Sequence, residues 1–178
     1  MPSLPVNLST LVEDNVKLLD QLDGVLLALD DVLYTNNESA LFDSPVGLHV
    51  RHALDHYACF LHGLTTGLID YDARARDAQV EASSESAQQR LHNLRNAIQE
   101  LDLADRDLLV RQASGTSGQI PLRSSVAREL VFLHSHTVHH QASIAALLRL
   151  LGVSELAPDD FGFAPATLQY KGAERCAR

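Results

Sequence analysis

The chain has no tryptophan, and aromatic residues make up 5% of it. Sheet proteins lean on aromatic and β-branched side chains, so this scarcity, beside an abundance of Leu and Ala, favours helices over sheet. Cysteine is scarce as well. Cys59 and Cys176 form no CxxC pair and no disulfide framework, which fits a reducing compartment. No run approaches the roughly 18 apolar residues of a membrane span. The segment Met1 to Asp14 lacks a basic stretch and a continuous apolar run, so no signal peptide is read there. These absences make a cytoplasmic protein the expectation. Positive charge is outnumbered, with 14 Lys and Arg against 23 Asp and Glu for a net charge of −9. That balance argues against sequence-independent binding to nucleic acid or to an anionic membrane. No glycine-rich loop precedes a helix in a nucleotide-binding pattern, and no GxSxG elbow is present.

What is present is helical periodicity. The 178 residues, 46% of them apolar, suffice for one domain with a substantial core, spanning 1–178. Leu11, Leu18, Leu22, Val25, Leu29 and Val32 recur at helical spacing and predict a first helix from about Leu8 to Tyr34, capped by Asn7 or Ser9 and ended by Asn36-Asn37. Gly24 weakens it by about 1 kcal/mol relative to Ala. Ser44 as N-cap and Pro45 at the first helical position predict a second helix that stops near Gly67. Asp70 to Asp77 reads as a solvated, irregular loop. Ser83 or Ser84 caps a third helix through about Leu101, with Leu91, Leu94, Ile98 and Leu101 as its buried stripe. Two short runs, around Leu108 and Ile120, flank Ser114-Gly115-Thr116-Ser117-Gly118 and suggest a small hairpin, in which Pro121 confines its run to an edge strand or a plain loop. A last helix runs from Ser124 or Ser125 to about Leu151 and ends at Gly152. Residues 153–178 form a tail that docks through Phe161, Phe163, Leu168 and Tyr170. The sum is an all-α four-helix bundle with at most a small hairpin before the last helix.

Eight of the nine histidines fall in two clusters, His49/His52/His56/His62 and His134/His136/His139/His140. Neutral imidazole is the commonest nitrogen ligand for divalent transition metals. His52 and His56 share a helix face, as do His136 and His140, because residues four apart lie one turn above each other. Two such faces turned together hold one ion, with His136 and His140 as one pair and the third nitrogen drawn from His49, His52 or His56. Zn²⁺, Ni²⁺, Fe²⁺ and Mn²⁺ all suit these donors. Three protein ligands leave a position open, which is the catalytic pattern rather than the closed structural one. His134 points about 160° away from His136 and is excluded. His139 is open between ligand, support and surface. Among nearby groups, Glu129 shares the face of His136 and is a candidate base, or an ordinary first-turn glutamate. Asp55 is a candidate acceptor for a ligand imidazole. Cys59 reads as a buried structural thiol. Arg51 and Arg74 are candidates to position an acidic substrate, Arg51 more readily read as a surface charge.

The segment Ser44-Pro-Val-Gly-Leu-His-Val-Arg-His52, followed by His136-Thr-Val-His-His140-Gln141 on a long helix, resembles the DinB/YfiT-like superfamily of metal-dependent proteins. The likeness spans most of the chain through Gly152. It implies a helical bundle with His52, His136 and His140 as ligands, and a homodimer. One departure is that Gln141-Ala142 follows the last ligand where many members have Gly-Gln. Tyr71-Asp-Ala-Arg74 and Phe161-Gly-Phe-Ala-Pro165 resemble one subgroup, which implies that Arg74 and the tail line the site. Relatives include thiol-dependent transferases and isomerases. The function expected is therefore a metal-dependent enzyme, a transferase or hydrolase, that activates a low-molecular-weight thiol or a water toward a small-molecule substrate. The alternative is a non-catalytic, stress-related bundle that binds metal or ligand.

Overall fold

Local capping chemistry sets the helix boundaries, and it breaks the first helix where apolar spacing alone continues it. In the computed structural model, which describes residues 7–37, 44–102, 104–113 and 118–176, helix α1 (Leu8–Ala28) starts at Asn7, whose side chain accepts from the Thr10 amide. It stops at Leu29, which is extended. Asp30 then caps a separate four-residue turn, α2 (Asp31–Tyr34), by accepting from the Leu33 amide at 2.8 Å. An Asp-Asp pair favours a new N-terminus over an uninterrupted helix interior.

Helix α3 (Val46–Thr66) begins one residue later than expected. Pro45 occupies the cap position, and the Ser44 hydroxyl turns instead to the His49 ring, 3.1 Å from Nε2. Residues 71–77 form the expected irregular segment, but it is bounded by strand β1 (Leu68–Asp70) directly after α3 and by α4 (Ala78–Ala82), which Asp77 caps. Then come α5 (Ser84–Gln99), β2 (Asp107–Ala113), β3 (Gln119–Ser125), α6 (Val126–Leu150) and, after a 3₁₀ turn at Ser154–Leu156, α7 (Pro165–Cys176). Ser83 caps α5 and Ser125 caps α6. Gly152, at φ 77°, closes α6 in the left-handed conformation.

The expected hairpin forms as β2 paired antiparallel with β3, with Val110 opposite Leu122 and Arg111 opposite Pro121. Residues 114–117 of its turn lie outside the described residues. Pro121 sits on β3, an edge strand, where a missing N–H costs no ladder bond. The expectation of an all-α chain with at most a hairpin is corrected by β1, which adds to β2 in parallel, Ile69 opposite Val110, to give a three-stranded sheet. That pairing joins residues some forty apart, so no local pattern announces it. Gly63 makes it possible, because a β-carbon there would collide with Ile69, which is fully buried against α3.

The four long helices pack α1 on α5 and α6, and α3 on α5 and α6. Their apolar stripes meet in a core that includes Leu19, Leu22, Leu26, Leu54, Phe60, Leu91, Ile98, Leu130 and Leu133. A buried polar chain crosses it. The Asn15 amide donates to the carbonyls of Leu11 (2.8 Å) and Leu130 (3.0 Å), the Tyr57 hydroxyl donates to Asn15 Oδ1 (2.9 Å), and Thr137 Oγ1 lies 3.1 Å from the Tyr57 hydroxyl. These bonds tie α1, α3 and α6 in one register. Gln141, buried, adds a bond from its amide to the Leu18 carbonyl at 2.9 Å.

In the tail, Phe161 is buried, whereas Phe163 and Tyr170 are exposed, so one aromatic rather than the whole set anchors it. Gly162, at φ 76°, lies so close to α6 that a β-carbon would stand 2.5 Å from the Ala142 nitrogen. Among the described residues no helix is long and apolar enough to cross a membrane.

Candidate metal centre

Helices α3 and α6 pack against each other, with His49, His52 and His56 of α3 meeting His136 and His140 of α6. The His52 ring centroid lies 5.1 Å from that of His136 and 4.6 Å from that of His140, and the His56 ring is 3.9 Å from His136. Ring nitrogens of His52, His56 and His136 all fall within 4.8 Å of one another. His140 joins them through Nε2, 3.2 Å from His136 Nε2, and its Nδ1 lies 3.1 Å from His49 Nδ1. His56 Nδ1 is 2.8 Å from the His52 carbonyl. A carbonyl only accepts, so Nδ1 carries the proton there and Nε2 keeps its lone pair.

The cluster favours neutral rings. Burial, and then the repulsion between neighbouring imidazoles once protonated, lower the His52 pKa to about 4, that of His140 to about 3 and that of His136 to about 2. Burial also lowers His49 and His56. At neutral pH the site therefore presents lone pairs rather than charges.

Aromatic side chains wall the cluster. The Tyr71 ring stacks on His56 at 5.2 Å and 22°, and Phe132 lies 5.0 Å from Tyr71 and 5.6 Å from His136. The Tyr71 hydroxyl donates to Glu129 Oε2 at 2.8 Å. Glu129, fully buried, also accepts from the Ser124 hydroxyl and from Arg128 Nη1 at 2.7 Å. Burial and the Glu129 carboxylate push the Tyr71 hydroxyl well above its ordinary value, so it stays a donor. Sequence reasoning did not single out Tyr71 or Phe132 as wall residues. Phe132 precedes His136 by one turn, and that spacing is the signal that could have found it.

The remaining candidates are held elsewhere. Asp55, buried, pairs with Arg51 at 3.4 Å rather than with an imidazole, and Arg51 also pairs with Glu81 at 3.0 Å. Arg51 is buried in these pairs, which corrects its reading as a surface charge. Cys59 is half-buried, its thiol pushed up by burial and by Asp55, and with Asp55 it lines a cavity of about 490 Å³ on the neighbouring face of α3. That cavity lies beside the imidazoles and not over them. Arg74 Nη1 donates to the Tyr71 carbonyl at 2.7 Å, while its Nε is buried without a partner. His134 faces a separate groove with Leu11, Asn15 and Pro165. His139 is exposed, its ring edge-on to His140 at 5.3 Å. The tail meets α6 at Ala142, next to Gln141 and His140.

The profile of the DinB family matches residues 4–172, nearly the whole chain. The chain belongs to the DinB family. A protein of Rhizopus delemar named FK506-binding protein 5 is 36% identical over 107 residues, which cover 58% of this chain and 27% of the fungal protein. This chain thus spans about a quarter of that relative's length. No solved structure matches it.

The family is metal-associated, and three neighbouring histidines of this DinB-family chain are placed to hold an ion. The donors fit one. Two imidazole nitrogens bound at about 2.0–2.1 Å to a tetrahedral ion stand roughly 3.3 Å apart, and His136 Nε2 and His140 Nε2 stand 3.2 Å apart. His136 Nδ1 is buried with no hydrogen-bond partner, while the same ring's Nε2 faces His140 Nε2.

Proposed function

We propose that this chain binds one divalent transition-metal ion, Zn²⁺, Ni²⁺, Fe²⁺ or Mn²⁺, through His52, His136 and His140, and acts on a small molecule as a metal-dependent transferase or hydrolase. The observation that carries this reading is the approach of lone-pair nitrogens from two helices, His136 and His140 at 3.2 Å with His52 facing both. A divalent ion held there supplies the acidity that turns a bound low-molecular-weight thiol or water into a nucleophile at neutral pH. The protein's own part is to keep the imidazoles neutral, oriented and partly shielded from water. Burial does the first. The His56–His52 carbonyl bond and the Glu129–Tyr71 pair do the second, by fixing the rings that pack on the ligands. Tyr71 and Phe132 do the third.

One observation favours the non-catalytic reading. His56 Nε2 is a further nitrogen beside the proposed set, and four nitrogens would close a tetrahedral site. The two candidate carboxylates, Glu129 and Asp55, are engaged as well. The four long helices fit a DinB-type four-helix bundle with 153–178 as its docked tail, a single unit over 1–178. A homodimer and a cytoplasmic setting complete the proposal.

Metal analysis of untagged protein decides between the readings. Each of His52→Ala, His136→Ala and His140→Ala should reduce bound zinc sharply, and His56→Ala should leave it near one per chain. Full stoichiometry in the triple variant would sink the ligand assignment. Loss of zinc in His56→Ala would favour the closed, non-catalytic site. A screen of metal-loaded protein with thiols and electrophiles, or with esters, then tests for turnover.

A further inference from the structure

We infer that His49 is a positioning residue for the proposed ligand His140, and that Ser44 holds His49 in turn. In this arrangement His140 Nδ1–H donates to His49 Nδ1, His49 Nε2–H donates to the Ser44 hydroxyl, and His140 Nε2 is left bare for the ion. The inference goes beyond the ligand set of the metal-site reading and rests on that reading for the ion itself.

The contacts in this row fall on defined ring nitrogens. Ser44 Oγ lies 3.1 Å from His49 Nε2. His49 Nδ1 lies 3.1 Å from His140 Nδ1, and His140 Nε2 lies 3.2 Å from His136 Nε2. A neutral imidazole has one N–H and one lone pair, so the nitrogen that binds a metal is set by what the other nitrogen is bonded to. A hydrogen bond between two ring nitrogens needs one donor and one acceptor, and the row can run only two ways. If His49 Nδ1 donates, His140 Nδ1 accepts, the His140 proton sits on Nε2, and that atom has no lone pair to offer. If His140 Nδ1 donates, Nε2 is bare and His49 Nδ1 accepts. His49 then carries its proton on Nε2 and passes it to the Ser44 oxygen as a hydrogen bond. Only this direction agrees with ligation at His140 Nε2, the nitrogen that faces His136. A hydroxyl both donates and accepts, so Ser44 fits it without moving.

The same geometry separates His49 from the ligands. The two nitrogens of an imidazole point away from each other, so an ion at His140 Nε2 lies on the other side of that ring from His49 Nδ1. The His52 ring meets both His136 and His140, at 5.1 and 4.6 Å between centroids, whereas His49 meets His140 at 5.4 Å on its Nδ1 side. Local structure supplies the end of the row. Pro45 takes the cap position of α3 and makes no side-chain cap bond, and the Ser44 hydroxyl turns to His49. Asp55, the acceptor expected for a ligand imidazole, is paired with Arg51, and His49 takes that role. A carboxylate acceptor would add negative charge beside the ion. An imidazole adds none, so more of the ion's charge is left to acidify a bound thiol or water.

The test reads tautomers and zinc affinity on the full chain. In long-range ¹H–¹⁵N spectra of zinc-loaded wild-type protein at neutral pH, His140 should show a protonated Nδ1 and a zinc-bound Nε2. His49 should be protonated at Nε2 and carry no zinc. Competition with a chromophoric chelator gives the affinity of the variants. His49→Phe, which fills the space without an acceptor, should weaken zinc about 10- to 100-fold, the range for losing the partner that orients a ligand. It should still reach one zinc per chain at saturation, because no ligand is lost. His49→Gln, whose amide oxygen can accept from His140 Nδ1, should restore most of the affinity, and Ser44→Ala should weaken zinc less than His49→Phe. A zinc-bound His49 nitrogen, or zinc on His140 Nδ1, overturns the inference while leaving a metal site in place. Wild-type affinity in His49→Phe, or His49→Gln as weak as His49→Phe, overturns it as well. The wild-type spectra decide if the Phe variant folds poorly. Wild-type protein that takes up no zinc overturns the metal-site reading, and the inference with it.

Discussion

Glu129→Ala tests whether the buried carboxylate bonded to Tyr71 is a base or an anchor. Glu129 is fully buried and accepts three hydrogen bonds, from Tyr71, Ser124 and Arg128. Removing it leaves the buried Tyr71 hydroxyl without a partner, a cost of about 1–3 kcal/mol. The Ser124 bond to a charged acceptor adds about 1.5 kcal/mol. Arg128 is 63% exposed, so its ion pair is screened and contributes under about 1 kcal/mol. Together with the lost packing of the side chain, the destabilisation should reach about 3–5 kcal/mol. For a chain of this length that is roughly 6–20 °C in Tm. Glu129→Gln, which keeps the shape and one acceptor, should cost only about 1–2 kcal/mol. Thermal and urea denaturation of metal-free protein measure both, and zinc content is read alongside. Glu129→Ala as stable as the wild type would refute the anchor. Glu129→Gln with normal stability and normal zinc but no turnover, once a substrate is known, would restore Glu129 as the base.

Acid should destabilise the metal-free protein through its imidazoles. His52, His136 and His140 titrate near 4, 2 and 3 in the folded chain against an ordinary value of 6.5. Between the two values the unfolded chain binds more protons, so stability is full above about pH 6.5 and falls as the pH drops toward 4 and below. A urea midpoint flat from pH 7 to 4 would contradict this. Bound metal should be released over an acidic range too, because ligation and protonation compete for the same lone pairs, and a pH titration of zinc content reads it. Gly162→Ala should loosen the tail, since it meets both a left-handed backbone at φ 76° and the α6 backbone at Ala142. Faster proteolysis within residues 153–176, with α1 to α6 protected, is the expected readout. Tyr57→Phe should cost about 1–3 kcal/mol in urea denaturation, because it leaves buried Asn15 Oδ1 without its donor.

The four long helices were legible because their signals are local. Apolar residues at helical spacing and a capping Asn or Ser at Asn7, Ser83 and Ser125 act within a few residues of each other. The pairing of His136 with His140, and of His52 with His56, was legible for the same reason. What local signals could not supply is anything that depends on how faces turn together. The sheet needed β1 to meet β2 across some forty residues, on a bare patch of α3 left by Gly63. Periodicity carried the first helix through Asp30, where a side-chain cap ended it. The site shows the same division. Spacing put His49, His52 and His56 within one arc, but only the packing of α3 on α6 decided which ring nitrogens approach which, and that the chain's Tyr71 would reach Glu129 and close the wall. Glu129 and Asp55 read as chemistry from sequence because a carboxylate on the right face looks the same whether free or engaged. Its partners are set by long-range contacts, and those belong to the tertiary structure alone.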